Sequence, residues 1–313
     1  MDTDKPKKGW ICFETARAII CFISVHPRSS AAEKRLSRAS TVASAMIESS
    51  THEPILECRD LCVSIGGQRV VDSLDLEVSA GQSIGILGPN GVGKTTLLLA
   101  LAGVRGKDAG TVSLDGRDMA RLPRREIARG LGMLTQNTRF AFDASALEVA
   151  LSGRHPHIGT LGRESAADID TARKALEDVG LDALAERSCR ELSGGEQRRL
   201  ALATVLAQDP AVMLLDEPTN HLDPARQVAI LDRLWLRVHR QRRCQVIALH
   251  DVNLATCYCT DVLMLFGDGR WEYGPTSGML TAERLSRLFE CEIRAISDQR
   301  QTVFAVAGGA GNA

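Results

Sequence analysis

A glycine-rich octapeptide, GPNGVGKT at residues 88–95, is the first stretch of this sequence whose residue types point to a chemistry. It matches G-x-x-x-x-G-K-[S/T] and lies between a predicted buried strand, 82–87, and a predicted helix, 95–104. In that context glycines let backbone N–H groups wrap a phosphate, and the helix points its positive dipole end at the anion. This phosphate-binding loop predicts that Lys94 bridges the β- and γ-phosphates of a nucleotide and that Thr95 binds Mg²⁺. The predicted nucleotide-binding residues are Gly88, Pro89, Asn90, Gly91, Val92, Gly93, Lys94, Thr95 and Thr96.

A pair of carboxylates supplies the second part of this chemistry. The apolar run VMLLD, 212–216, predicts a strand that delivers Asp216 to the carboxyl end of a sheet, and Glu217 follows it directly. We expect Asp216 to hold Mg²⁺ through a water and Glu217 to be the general base for the attacking water. Alone, such a pair would indicate a solvated acidic turn, but after a phosphate-binding loop the catalytic interpretation is favoured.

Two further polar residues end predicted strands, Gln136 after GLGMLT and His250 after QVIAL. In a parallel sheet these carboxyl ends face the same crevice. We therefore expect His250 to contact the γ-phosphate and Gln136 to bind Mg²⁺ or the attacking water. The predicted catalytic residues are Lys94, Glu217 and His250, and the predicted metal-binding residues are Thr95, Gln136 and Asp216.

The segment LSGGEQRR, 192–199, raises a different question. It predicts the start of a helix in which Ser193 is the N-cap and Glu196 reaches back to it, a capping box. Gly194 and Gly195 stand in the first turn, although each destabilises a helix by roughly 1 kcal/mol relative to alanine. The glycine pair indicates that another group comes very close to this backbone.

These residues must be positioned by a sheet with helices on both faces. Continuous apolar runs separated by helical patterns imply parallel strands that are buried on both sides. The predicted strands of this sheet lie at 82–87, 130–136, 211–216 and 245–251. Two more pairs predict hairpins, 54–65 with 70–78 across a GGQ turn and 262–266 with RWEYG across a GDG turn.

Residues 1–50 lack this periodicity, and 26–50 are rich in Ser, Ala and Arg. We interpret them as a leader that is disordered, or that results from a mis-assigned start with Met46 as the true first residue. The apolar run 18–25 is shorter than the ~20 residues that a membrane span needs. The sequence therefore predicts no transmembrane helix.

Composition excludes several classes. Lys and Arg number 38 against 39 Asp and Glu, which argues against a nucleic-acid protein held by a basic surface. The nine cysteines include no C-x-x-C pair, so neither a disulfide framework nor a zinc site is predicted.

Taken in order, the phosphate-binding loop, Gln136, LSGGE, LLDEP, NHLD (220–223) and His250 resemble the ATP-binding cassette (ABC) ATPases. The resemblance covers about 55–285. It implies an α/β fold of the P-loop NTPase type, with a mainly parallel sheet core, an N-terminal antiparallel β subdomain and a helical insert at about 137–192. The implied domain is 51–285, followed by a C-terminal tail, 286–313, and the implied cofactors are ATP and Mg²⁺.

The resemblance also implies a partner. In this family two subunits enclose two ATP molecules head to tail, so LSGGE would contact the nucleotide bound by the other copy. The residues implied to act across such a homodimer are Ser193, Gly194, Gly195, Glu196 and Asp223, the last in the loop between the two sites.

Finer features resemble the importer ATPases for iron-siderophore, haem and vitamin B12 uptake, in particular ALSGRHPHIG (150–159) and the region 249–275. This implies a peripheral subunit at the cytoplasmic face of the inner membrane. Its partners would be separate permease subunits and, indirectly, a periplasmic or surface solute-binding protein, with no nucleic acid. An ABC ATPase for another solute, an exporter and a non-transport ABC protein remain alternatives at this point.

Ile65 stands where the family usually stacks an aromatic residue on adenine, which predicts modest ATP affinity and weak base selectivity. Ile65→Tyr should tighten ATP binding several-fold, because stacking contributes about 1 kcal/mol. Equilibrium titration of both proteins with ATP would measure the change, and an unchanged dissociation constant would contradict the assignment.

Overall fold

A computed structural model of the chain describes residues 54–136, 140, 142–159, 162–220, 222–298 and 301–307. The predicted leader, 1–50, lies outside them. The strands are β1 (Leu56–Ile65), β2 (Gln68–Val78), β3 (Ser83–Leu87), β4 (Ala109–Leu114), β5 (Arg117–Asp118), β6 (Leu131–Leu134), β7 (Val212–Asp216), β8 (Cys244–Ala248), β9 (Asp261–Leu265), β10 (Trp271–Pro275), β11 (Ile293–Ser297) and β12 (Thr302–Val306). The helices are α1 (Lys94–Leu101), α2 (Arg124–Gly130), α3 (Ala146–Ser152), α4 (Ala166–Asp178), α5 (Gly194–Gln208), α6 (Pro224–Arg240), α7 (Val252–Tyr258), α8 (Thr276–Met279) and α9 (Ala282–Phe289).

The central sheet has six strands in the order β10-β9-β3-β8-β7-β6. Strands β9, β3, β8, β7 and β6 run parallel, and β10 closes one edge as the antiparallel partner of β9. The predicted parallel sheet and the predicted hairpin at 262–274 are both confirmed.

The continuous apolar runs are explained by burial on both faces of this sheet. Along β7, Val212 and Leu214 join one apolar core, while Met213 and Leu215 join the other. The first core also takes in α1 and strands β1, β2 and β4, and the second takes in helices α3 to α7. A strand with a core on each side has no solvent face, so it carries no alternating polar residues.

The N-terminal antiparallel subdomain is a four-stranded sheet in the order β2-β1-β4-β5. The β1–β2 hairpin matches the pattern read at 54–78, whereas the pairing of β4 with β1 was not predicted. Val63, Val70 and Val71 of the hairpin are buried in the same core as α1, so this subdomain packs against the helix that follows the phosphate-binding loop.

Helices α3, α4 and α5 pack together on the other side of the sheet. The first two lie within the implied insert, 137–192. Each of the three begins with a capping box, in which the pairs are Ser145–Glu148, Ser165–Asp168 and Ser193–Glu196. The capping box predicted for LSGGE is therefore confirmed.

The segment implied to be a C-terminal tail contains the end of α9 and the hairpin of β11 and β12. Asn253 on α7 ties this hairpin to the domain, since its amide donates to Phe304 O at 3.2 Å and accepts from Phe304 N at 2.8 Å. Among the helices of the described residues, none combines the length and apolar composition that a membrane span requires.

Two strands end earlier than predicted. Strand β6 stops at Leu134 rather than 136, and β8 stops at Ala248 rather than 251. Gln136 and His250 therefore lie in the loops just beyond the sheet and not on its last residues, which gives their side chains room to turn across neighbouring strand ends.

Candidate active site

Four neighbouring strands bring the predicted site residues to one edge of the sheet. In the order β3-β8-β7-β6, the carboxyl ends lead to the phosphate-binding loop, to His250, to Asp216 and Glu217, and to Gln136. Parallel strands point these ends the same way, so residues separated by more than 150 positions in sequence become neighbours.

The phosphate-binding loop depends on glycine at Gly93, the N-cap of α1. Its φ of 106° is in the left-handed region. A Cβ atom at this position would also lie 2.6 Å from the methyl carbons of Val70 on β2. Conformation and space thus both exclude a side chain, so the β subdomain helps to fix the shape of the loop.

Lys94 is buried, and its ammonium donates to Gly88 O at 2.8 Å and to Pro89 O at 3.1 Å. Burial lowers its pKa, although the negative charges of Asp216 and Glu217 act in the opposite direction. The ammonium is therefore held inside the loop, where a phosphate would take over bonds now made to carbonyl oxygens.

Asp216 is fully buried and accepts a hydrogen bond from the Thr95 hydroxyl, with Oγ1 to Oδ2 at 2.7 Å. Its other oxygen, Oδ1, has no hydrogen-bond partner in the described part of the chain. Burial raises the pKa of this carboxyl, and the Thr95 hydroxyl partly offsets that effect. A hydroxyl and an unsatisfied carboxylate oxygen side by side fit the oxygen ligands that Mg²⁺ takes, so these residues suit the predicted metal.

Glu217 is buried just after β7 with a φ of 51°, which is uncommon for a residue with a side chain. Its Oε2 accepts from the Gln136 amide at 3.1 Å and from the Asn220 amide, and its Oε1 lies against His250 Nε2. Three side chains thus hold the carboxylate in one orientation, as a general base requires. The side-chain amide of Gln136 contacts the Glu217 carboxylate. The predicted role of Gln136 as a metal ligand stays a prediction.

Two residues of this cluster were not predicted to act in the site. Asn220 belongs to the NHLD motif, but nothing in the motif shows that its amide contacts Glu217. Arg198 is buried on α5 and donates to the main-chain carbonyls of residues 135, 136, 216 and 217. Its approach to Gln136 and Glu217 depends on packing between distant segments, which left no signal in the sequence.

Three of the residues predicted to act across a dimer take part in helix caps. Ser193 and Gly194 are exposed at the start of α5. Glu196 Oε2 accepts from Ser193 N at 2.8 Å, and these Ser193 bonds lower the pKa of Glu196. Asp223 caps α6 by accepting from Arg226 N at 3.0 Å. The structure supports the local capping roles and leaves the contacts with a second copy as a prediction.

The structure also shows the surroundings of Ile65 and of the H-x-H pair, His155 and His157. Ile65 is 40% exposed at the end of β1. His157 Nε2 is bonded to Gln208 O at 2.8 Å, and the described residues contain no group of three side chains that could hold a metal with the H-x-H pair.

Comparisons with known proteins agree with this geometry. The family model described as "ABC transporter" matches residues 71–220. The hemin import ATP-binding protein HmuV of Bordetella pertussis is 35% identical over 246 residues, 76% of this chain and 92% of that protein. The ferric enterobactin transport ATP-binding protein FepC of Escherichia coli is 34% identical over 244 residues, 78% of this chain and 90% of that protein. The cobalamin import ATP-binding protein BtuD of Halobacterium salinarum is 35% identical over 246 residues, but this chain spans only 61% of its length.

Solved structures of ABC proteins share the fold of this chain. A structure of an inward-facing ABC transporter assigned to the metal-chelate type superposes with a TM-score of 0.71 and 26% identity, covering 82% of this chain and 98% of that chain. A dimeric post-hydrolysis structure of the ATP-binding cassette MJ0796 with ADP and Pi has a TM-score of 0.60 and 25% identity, covering 69% and 97%. The mixed α/β fold with a parallel core and an antiparallel subdomain is confirmed.

Asp216→Asn should stabilise the protein without nucleotide while removing the further stabilisation by MgATP. A carboxyl whose pKa is raised by folding makes the folded state less stable at pH values above that pKa, and asparagine removes this effect while still accepting from Thr95. Thermal unfolding without nucleotide should therefore show a higher Tm for Asp216→Asn than for the wild type. The exposed Asp170→Asn is the control, and a lowered Tm in Asp216→Asn would contradict the prediction.

Proposed function

The chain belongs to the ABC transporter family, and from this premise we propose that it is the ATP-hydrolysing subunit of an importer for an iron chelate or cobalamin. The observation that carries the ATPase part is the convergence of Lys94, Thr95, Asp216, Glu217 and His250 at one edge of the sheet. These residues supply different requirements of phosphoryl transfer, namely phosphate binding, metal binding and a general base.

ATP is held by the phosphate-binding loop. The backbone N–H groups of the loop and the start of α1 stabilise the phosphate charge, and the Lys94 ammonium moves from loop carbonyls to the β- and γ-phosphates. Thr95 and Asp216 hold Mg²⁺, which neutralises charge on the phosphate oxygens when it is bound. Burial of Lys94 strengthens its attraction for phosphate, because little water screens it.

Glu217 carries the proton chemistry. Its carboxylate takes a proton from the water that attacks the γ-phosphorus, while the bond from that phosphorus to the β,γ-bridging oxygen breaks and ADP leaves. His250, Asn220 and Gln136 hold the carboxylate in place. The products are ADP and phosphate.

A second copy of the chain completes the site. Ser193 and Gly194 are exposed, with open space where a Gly194 side chain would project, and they lie on a different element from the nucleotide loop. A head-to-tail dimer brings this backbone to the γ-phosphate held by the partner. The dimeric MJ0796 cassette supports such an assembly for this chain.

Transport follows from the family and the relatives. Relatives named for hemin, ferric enterobactin and cobalamin import share about 35% identity with this chain, which favours a metal-chelate solute. The chain then works at the cytoplasmic face of the inner membrane with a separate permease that receives solute from a binding protein. Genes for such a permease and binding protein beside this one would support the assignment, and genes for an exporter would contradict it.

Glu217→Gln should abolish turnover and accumulate an ATP-bound dimer. The amide keeps the size of the side chain but no longer accepts the proton, which removes about 10²- to 10⁴-fold in rate. Phosphate release measures turnover, and light scattering with and without ATP measures association. The exposed Glu283→Gln serves as the control, and persistent hydrolysis in Glu217→Gln would remove this residue from the catalytic role.

Gly195→Asp should leave ATP binding largely intact while removing turnover, because the added carboxylate would meet the nucleotide of the partner and not that of its own subunit. Titration of the monomer with ATP and an ATPase assay separate the two effects. Mixing Gly195→Asp subunits with Lys94→Ala subunits should recover hydrolysis, since the mixed dimer contains one composite site with both residues intact. Equal loss of binding and turnover would contradict the arrangement.

A further inference from the structure

Arg198 is the fifth residue of α5, and its exposed fraction is only 7%. One nitrogen of its guanidinium donates to Gln136 O at 2.6 Å and to Thr135 O. The other donates to Glu217 O at 3.0 Å and to Asp216 O. A single side chain therefore joins α5 to the two loops that carry the predicted base and its glutamine partner.

The four carbonyls are arranged in two pairs. The carbonyls of residues 216 and 217 belong to the two peptide planes on either side of the Glu217 Cα atom, so anchoring both fixes the φ and ψ angles of that residue. The carbonyls of residues 135 and 136 flank Gln136 in the same way. The two residues held in this way are the ones whose side chains meet, with Gln136 Nε2 at 3.1 Å from Glu217 Oε2.

The backbone conformation of Glu217 explains why its peptide planes need to be anchored. A φ of 51° is sparsely populated for a residue with a side chain and persists only where its surroundings hold it. Two bonds from a rigid, planar guanidinium supply such a restraint.

Burial of Arg198 is costly in its own right. Its Nε has no hydrogen-bond partner in the described part of the chain, and burial lowers the pKa of the guanidinium. Asp216 and Glu217 act against this shift, since their negative charges favour the cation. Simple packing of α5 would be served by an apolar side chain, which would need no such compensation.

We propose that Arg198 is a positioning residue that couples the Ser193 end of α5 to the Gln136–Glu217 pair of its own subunit. Arg198 is five residues from the N-cap, a rise of about 7.5 Å along a continuous helix. The inference rests on the proposed function, in which Ser193 contacts the nucleotide of the partner. Engagement of the partner's nucleotide would then be transmitted through one helix to the base that acts on the subunit's own nucleotide.

Arg198→Met in the full chain tests this proposal, with Arg199→Met as the matched control. Arg199 is the adjacent residue, is equally buried and also has an Nε without a partner, but its guanidinium donates to Val179 O and Gly180 O, both at 2.8 Å. Arg198→Met should lower kcat about tenfold or more with little change in the dissociation constant for ATP, because small displacements of a reacting group have large effects on rate. Arg199→Met should retain kcat, whatever its effect on Tm.

Two further measurements extend the test, and the first of them keeps it decisive if Arg198→Met folds poorly. Arg198→Lys preserves the charge but not the paired bonds, so its kcat should fall between those of the wild type and Arg198→Met. In a double-mutant cycle, adding Arg198→Met to Gln136→Ala should lower kcat less than it does in the wild type, because both changes release the same contact.

The proposal is overturned if Arg198→Met lowers kcat no more than Arg199→Met does, if ATP affinity falls as much as kcat, or if the cycle is additive. If the proposed function itself is wrong, the wild-type chain will lack ATPase activity that depends on Glu217. That result is distinct from any of the three outcomes above.

Discussion

The burial of two adjacent carboxylates is the constraint on which the rest of this structure depends. Asp216 and Glu217 stand at the end of a strand that is enclosed by an apolar core on each side. Neighbouring negative charges in a poorly solvated place repel one another, and each loses its hydration. Two buried cations offset this repulsion: Lys94 at the start of α1 and Arg198 on α5. Removing either cation would leave the carboxylates less compensated.

This charge balance requires the topology that is observed. The two cations come from helices on opposite faces of the sheet, and the two carboxylates lie at its edge between them. A parallel sheet whose strands are buried on both faces is the arrangement that lets two helices approach one strand end from both sides. The hydrogen bonds from Thr95 and Gln136 then complete a cluster drawn from four separate segments of the chain.

Much of this could be predicted from the sequence because the signals were local. The phosphate-binding loop is contiguous, and the buried strands are continuous apolar runs, so the placement of Lys94, Thr95, Asp216 and Glu217 at one edge of the sheet follows directly from the sequence. The placement of Gln136 and His250 at that edge follows because the strand ends converge, although both strands stop two or more residues earlier than the pattern indicated.

The remainder could not be predicted because it depends on main-chain atoms and on distant packing. Arg198 recognises four carbonyl oxygens, which every residue type offers, so its partners leave no pattern of side chains. The pairing of β4 with β1 and the hairpin of β11 and β12 are similar cases, since short strands without strong alternation acquire their partners from the tertiary fold.

Helices α3 and α4 provide two internal controls for the glycines of LSGGE. Helices α3, α4 and α5 all begin with a serine and an acidic residue in a capping box, but the first two follow the serine with Ala-Leu and Ala-Ala. The capping geometry therefore does not require glycine. A Cβ atom on Gly194 would meet nothing within 4 Å in its own subunit, so the packing of the chain does not require it either. Nothing within its own subunit therefore requires glycine at position 194, and a backbone left bare at the positive end of a helix is suited to the close approach of an anion.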